Sequence, residues 1–220
     1  MKSYSKKSLY IGVSFITLFS LWTILIQTID VEPVGLNNSN VGFATFNLWF
    51  HRLTSVNLSI YNITDWLGLV PIFICIIFAV LGLFQLIKRK SLFKVDIDII
   101  ILGVYYIIVV LGYLIFEIIP INYRPITING FVEASYPSST TLLVLSVMPT
   151  LVFQIYQRIN SLTIKRLVFI FSVVFSAFMV IGRLVSGVHW FTDIIGSVLL
   201  STGLFYIYNG MVLLSVKINK

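Results

Sequence analysis

Gly182-Arg183-Leu184-Val185-Ser186-Gly187-Val188-His189-Trp190-Phe191-Thr192-Asp193 lies between two long apolar runs, Leu167 to Gly182 and Ile194 to Val216. An Arg, a His and an Asp at the edge of a membrane segment are expensive, and such groups mark function. The stretch holds one of only two histidines in the chain. His189 and Asp193 are four apart, so in a helix they share a face and the carboxylate can orient the imidazole. Arg183 adds a planar donor fork that suits phosphate oxygens.

Composition sets the class around that stretch. With 58% hydrophobic and 10% charged residues, and 18 Phe in 220 positions, the chain reads as an integral membrane protein, all-α and polytopic. Leu9 to Ile29 carries no charge and is long enough to cross a hydrocarbon layer. It is long for a signal-peptide core, and no small-residue cleavage site follows Thr28-Ile29-Asp30, so it reads as a retained span. Five more spans follow at 66–87, 99–116, 140–157, 167–182 and 194–216, giving a single membrane domain over 1–220. The fifth is short, which would hold Arg183 at or just under the interface. The polar stretch 30–65 reads as an outer loop, with Trp49-Phe50-His51-Arg52 suggesting a short interfacial helix. His51 in that loop is either a solvated side chain or a residue that reaches the site.

Six spans put both termini on one side. If that side is cytoplasmic, it receives Lys2, Lys6, Lys7, Lys88, Arg89, Lys90, Lys94, Arg158, Lys165, Arg166, Lys217 and Lys220, leaving Arg52, Arg124 and Arg183 outside. The asymmetry orients the chain in a cell membrane and accounts for the net charge of +7 without nucleic acid. Cys75, the single cysteine, sits in an apolar run and reads as a small buried hydrophobe.

Two of the outer arginines abut spans. Arg124 belongs to Tyr123-Arg124-Pro125 after the third span, and Pro137-Ser138-Ser139-Thr140 opens the fourth. Pro followed by hydroxyl residues is a good helix start, with Ser138 or Ser139 able to cap, and a helix N-terminus is also an anion site. Both loops fall on the same face as Gly182–Asp193.

The order Arg-Pro, Pro-Ser at a helix start, then Arg, five residues, His, three residues, Asp resembles the type 2 phosphatidic acid phosphatase (PAP2) superfamily. The resemblance covers roughly Ile99 to Leu214 and implies a six-helix PAP2-like bundle. It also implies a membrane phosphatase that hydrolyses a lipid phosphate or diphosphate at the outer face through a phosphohistidine. By this resemblance His189 is the nucleophile, Asp193 its orienting partner, and Arg124 and Arg183 the phosphate clamp, with Ser138, Ser139 and Thr140 at the helix start. No cofactor or metal is needed, and no His or carboxylate cluster has metal-ligand spacing.

Three positions depart from the family pattern. Glu117 stands where a clamp lysine is usual, Gly182 where serine is usual, and Thr140 where the general-acid histidine is usual. Glu117 either pairs with Arg124 or Arg183 or marks the end of the third span. Loss of the acid predicts reduced turnover of poor leaving groups by roughly 10² to 10⁴ and favours diphosphates. The competing readings are a degenerate member that binds lipid phosphate without turnover, a lipid phosphotransferase, and a transporter. Charges placed in outer loops rather than within several spans argue against the transporter.

Overall fold

Apolar runs that meet lipid must satisfy their backbone hydrogen bonds internally, and helices do so. The computed structural model, which describes residues 2–218, is accordingly built from eight helices: α1 (Lys2–Thr28), α2 (Ala44–Thr54), α3 (Leu58–Leu67), α4 (Leu69–Arg89), α5 (Ile97–Ile118), α6 (Ser139–Arg158), α7 (Leu162–Val185) and α8 (Phe191–Ile218). Among the described residues the only extended pairings are isolated bridges, Tyr123 with Ala134 among them. Six helical segments are long and apolar enough to cross a membrane, with α3 and α4 forming one of them, Leu58–Arg89. This is a multi-pass all-α membrane protein.

The segment expected as a loop over 30–65 is largely helical. Asn57 caps α3 by accepting from the Ile60 N–H (3.1 Å). At Gly68, where α3 passes into α4, the backbone stays in the right-handed helical region (φ −59°, ψ −17°). Asp65 broke the apolar run without breaking the helix, because its charge is answered by Arg183 from α7. The fifth span is also longer than its apolar core. Ser161 caps α7 through the Ile164 N–H (3.4 Å), so Lys165 and Arg166 lie in its first turns and Arg183 in its last.

The interior helices are α6 and α8. Against α6 pack α4, α5, α7 and α8, while α8 also meets α1 along much of its length. Small residues allow that last approach: a Cβ on Gly203 would stand 2.8 Å from Ile16 Cδ1 and 3.0 Å from its backbone N. Polar ties cross the same seam, Ser8 Oγ donating to the Tyr206 carbonyl (2.8 Å) and Trp22 Nε1 to that of Thr192 (3.1 Å). At one end of the bundle Arg158 meets Asp98 (2.7 Å) and Arg89 meets Asp96 (2.6 Å). The candidate site lies at the other end. Of the basic residues used for orientation, Lys220 lies outside the described residues, as do the side chains of Lys2 and Lys217.

Gly203→Leu should force α1 and α8 apart and cost about 1–3 kcal/mol. Gly103→Ala, where an added Cβ meets nothing within 4 Å, should leave stability equal or slightly raised by the gain in helix propensity. Thermal midpoints of the two variants in one detergent check the contrast.

Candidate active site

The loop after α7 is shaped by backbone constraints before any side chain is considered. The Ser186 N–H closes α7 on the Gly182 carbonyl (2.9 Å), and Gly187 then takes φ +70°. A Cβ at Gly187 would lie 2.1 Å from the Ser55 carbonyl oxygen, so both the conformation and the space require glycine. The segment before α3 holds this loop, with the Asn57 N–H donating to the Ser186 carbonyl (2.9 Å) and His51 Nε2 3.1 Å from the Gly187 carbonyl. His51 therefore braces the loop; it is neither a solvated side chain nor a lining residue of the cavity described below.

His189 follows in an irregular stretch, and Asp193 sits in the first turn of α8, so the two meet across a helix start rather than along one helical face. Nδ1 of His189 is 3.1 Å from the Ser135 carbonyl and 3.7 Å from Asp193 Oδ2. Donation from Nδ1–H to Ser135 leaves Nε2 with its lone pair. Asp193 is itself fixed, Oδ2 accepting from the Trp190 N–H (2.9 Å) and Oδ1 from Asn122 Nδ2 (3.1 Å). Burial pushes the imidazole down to about 4, beyond what the Asp193 carboxylate restores, and the Arg124 charge adds to the fall. Near neutral pH the contact is thus between a neutral ring and a carboxylate.

A short antiparallel pairing brings in Arg124. Its N–H donates to the Glu133 carbonyl (3.0 Å), the Ser135 N–H donates to the Asn122 carbonyl (2.9 Å), and Arg124 Nε lies 3.1 Å from Glu133 Oε2. Arg183 is 1% exposed, with Nη2 donating to Asp65 Oδ1 (2.7 Å) and to Thr140 Oγ1. The Tyr61 ring on α3 lies under both guanidiniums, 4.8 Å from Arg183 and 5.7 Å from Arg124.

A cavity of about 210 Å³ is lined by Tyr113, Glu117, Arg124, Glu133, Ser135, Ser139 and His189, among others. Glu117 forms neither expected ion pair among the described residues, since Arg124 takes Glu133 and Arg183 takes Asp65. Ser138 occupies the cap position of α6, yet its hydroxyl donates to Thr141 Oγ1 (3.1 Å) rather than accepting from a backbone N–H. The amides that open α6 thereby stay free of a side-chain cap, which suits an anion. Around them Ser135 Oγ, Arg124 Nη1, Arg183 Nε and Nη1, and His189 Nε2 are buried without a hydrogen-bond partner among the described residues. Buried polar atoms are rarely left so; a tetrahedral oxyanion would satisfy the arginine and serine donors, with the Nε2 lone pair facing its central atom.

Sequence reasoning missed Asn122, Ser135, Glu133, Tyr61 and Asp65. Asn122 and Ser135 stand beside recognised loop residues and show no signal of their own. Asp65, a lone acid at the end of an otherwise apolar helix, was visible.

Comparison with known families matches residues 93–216 to the PAP2 superfamily. Comparison with curated protein sequences returned no match. The fold is similar to the crystal structure of the first transmembrane PAP2 type phosphatidylglycerolphosphate phosphatase from Bacillus subtilis. That likeness has a TM-score of 0.66 at 18% identity and covers 92% of this chain and 96% of that one.

The depressed pKa of His189 predicts a protonation midpoint near 4, in place of the roughly 6.5 of a free imidazole. The proton is lost in the folded state until pH falls through that lower value. Histidine-selective NMR titration in detergent checks it, with a His51→Asn variant assigning the signals; a midpoint above 6 contradicts the buried neutral ring.

Proposed function

The chain belongs to the PAP2 superfamily, and from that premise we propose that it is a lipid phosphatase, hydrolysing a membrane lipid phosphate or diphosphate through a phosphohistidine at the outer face. The observation that carries this reading is the set of unpartnered buried donors gathered about a neutral imidazole at the start of α6.

Each side chain has a part in the reaction. His189 Nε2 attacks phosphorus while Nδ1–H stays on the Ser135 carbonyl, which holds the tautomer. Asp193, 3.7 Å from the ring, opposes the positive charge that builds there. Arg124, Arg183 and the helix-end amides around Ser138, Ser139 and Thr140 balance charge on the equatorial oxygens, the main contribution in phosphoryl transfer. Water then hydrolyses the phosphohistidine and restores the imidazole. An apolar cavity of about 370 Å³, lined by Leu69, Ile72, Val109, Val110 and Leu142, meets the polar one at Tyr113 and Ser139 and suits the lipid. The basic end of the bundle favours cytoplasmic termini and an outward site.

Thr140 and Glu117 favour a second reading, a member that binds lipid phosphate without turnover. Phosphate release by purified protein from a panel of lipid phosphates and diphosphates separates the two. Turnover that falls by more than about 10³-fold in His189→Ala supports the phosphatase. A wild type inert on every lipid, switched on by Thr140→His, establishes the binder.

Orientation is tested separately in a Cys75→Ser background. Phe131→Cys, at a position 71% exposed in the loop beyond Arg124, should react with an impermeant thiol reagent on intact cells. Labelling only after lysis reverses the topology.

A further inference from the structure

Helix α3 lies outside the residues matched to the family, yet it is built into the site. A Cβ on Gly182 would stand 2.6 Å from Thr64 Cγ2, and one on Gly68 would stand 3.6 Å from Thr140 Cγ2. Glycine at 182 and threonine at 140 are thus the two departures that face α3. One turn apart on the same helix, Tyr61 underlies both arginines and Asp65 holds Arg183. The Asp65 side chain remains 57% exposed although it holds Arg183.

Displacement at phosphorus places the attacking and departing atoms in line, on opposite sides. His189, Glu117 and Glu133 line the polar cavity, which is the side of attack. The departing lipid belongs on the apolar side, among Leu69, Val109 and Leu142. Asp65 and Tyr113 are the ionisable residues on that wall, and Tyr113 lines both cavities, whereas Asp65 lines only the apolar one. Thr140 is also there, but an alcohol is too weak an acid to serve, and its oxygen already accepts from Arg183.

We propose that Asp65 is the acid that protonates the departing lipid oxygen, a role that rests on the phosphatase reading. A phosphate that takes over the Arg183 donors sets negative charge beside the carboxylate, and like charges side by side favour a shared proton. As His189 Nε2 bonds to phosphorus, the bond from phosphorus to the lipid oxygen breaks with its electron pair left on oxygen. The Asp65 proton passes to that oxygen, and the alcohol leaves. Water enters from the same side, gives its proton to the Asp65 carboxylate and cleaves the phosphohistidine, so the carboxyl is restored.

The test compares wild type, Asp65→Asn and Asp65→Asn/Thr140→His on two probes. Dioctanoylglycerol phosphate loses an alkoxide that needs a proton; farnesyl diphosphate loses a phosphate oxygen that does not. Asp65→Asn should lower kcat on the monoester by at least about 10²-fold more than on the diphosphate, any loss common to both probes reporting its contact with Arg183. The added histidine should restore monoester turnover at least tenfold. Equal loss on both probes, with no restoration, makes Asp65 a positioning residue for Arg183 and overturns the proposal. So does a wild type that cleaves the diphosphate alone, because an acid in place leaves the monoester cleavable. A wild type inert on both probes removes the phosphatase reading itself.

Discussion

A guanidinium that is 1% exposed near the end of a membrane helix must be answered, because an uncompensated buried charge is among the largest penalties a fold can carry. Arg183 is answered from outside its own helix. Asp65 supplies the counter-charge, Thr140 a second acceptor and Tyr61 a ring face, and the first and last of these come from α3. Satisfying one side chain therefore fixes where α3 docks. Docking in turn continues the second span outward from Trp66 to Leu58 and sets Asn57 and Ser55 against the loop that carries His189.

The same burial decides the state of the histidine. A ring removed from water beside two arginines is held neutral, with the Ser135 carbonyl 3.1 Å and the Asp193 carboxylate 3.7 Å from its Nδ1. Asp193 makes further contacts. Its two oxygens tie Asn122 and the Trp190 N–H together, so the carboxylate joins the Arg124 loop to the start of α8. On the proposed reading its charge acts on the ring electrostatically at 3.7 Å, when positive charge develops.

The spans were legible in the sequence because hydrocarbon thickness imposes a minimum run of apolar residues, and the motif residues were legible because ionisable groups at a membrane edge are costly. What was not legible has one physical cause, namely contacts whose partners are far apart in sequence. Asp65 and Arg183 are 118 positions apart, and Asp65 was read as the last residue of a polar loop, whereas it lies within α3 and pairs with Arg183. Ser135 acts through its backbone carbonyl, which no side-chain pattern encodes. Glu117, read either as a partner for an arginine or as the end of the third span, has no arginine partner among the described residues, since Glu133 and Asp65 take both, and it lies in the last turn of α5.

Taken one at a time, Gly182 and Thr140 look like erosion of a phosphatase motif. Their surroundings argue for exchange. Serine at 182 would put its Cβ into Thr64, so glycine there is a condition of α3 being present. Threonine at 140 accepts from Arg183, and on the proposed reading the acidic function on that side falls to Asp65, the carboxyl α3 supplies. A motif that simply decayed would leave the space and hydrogen bonds of the lost groups unfilled. Here the space beside Gly182 is taken by Thr64 of α3 and the Thr140 hydroxyl is bonded to Arg183 of α7, as the proposed transfer of the acid to α3 requires.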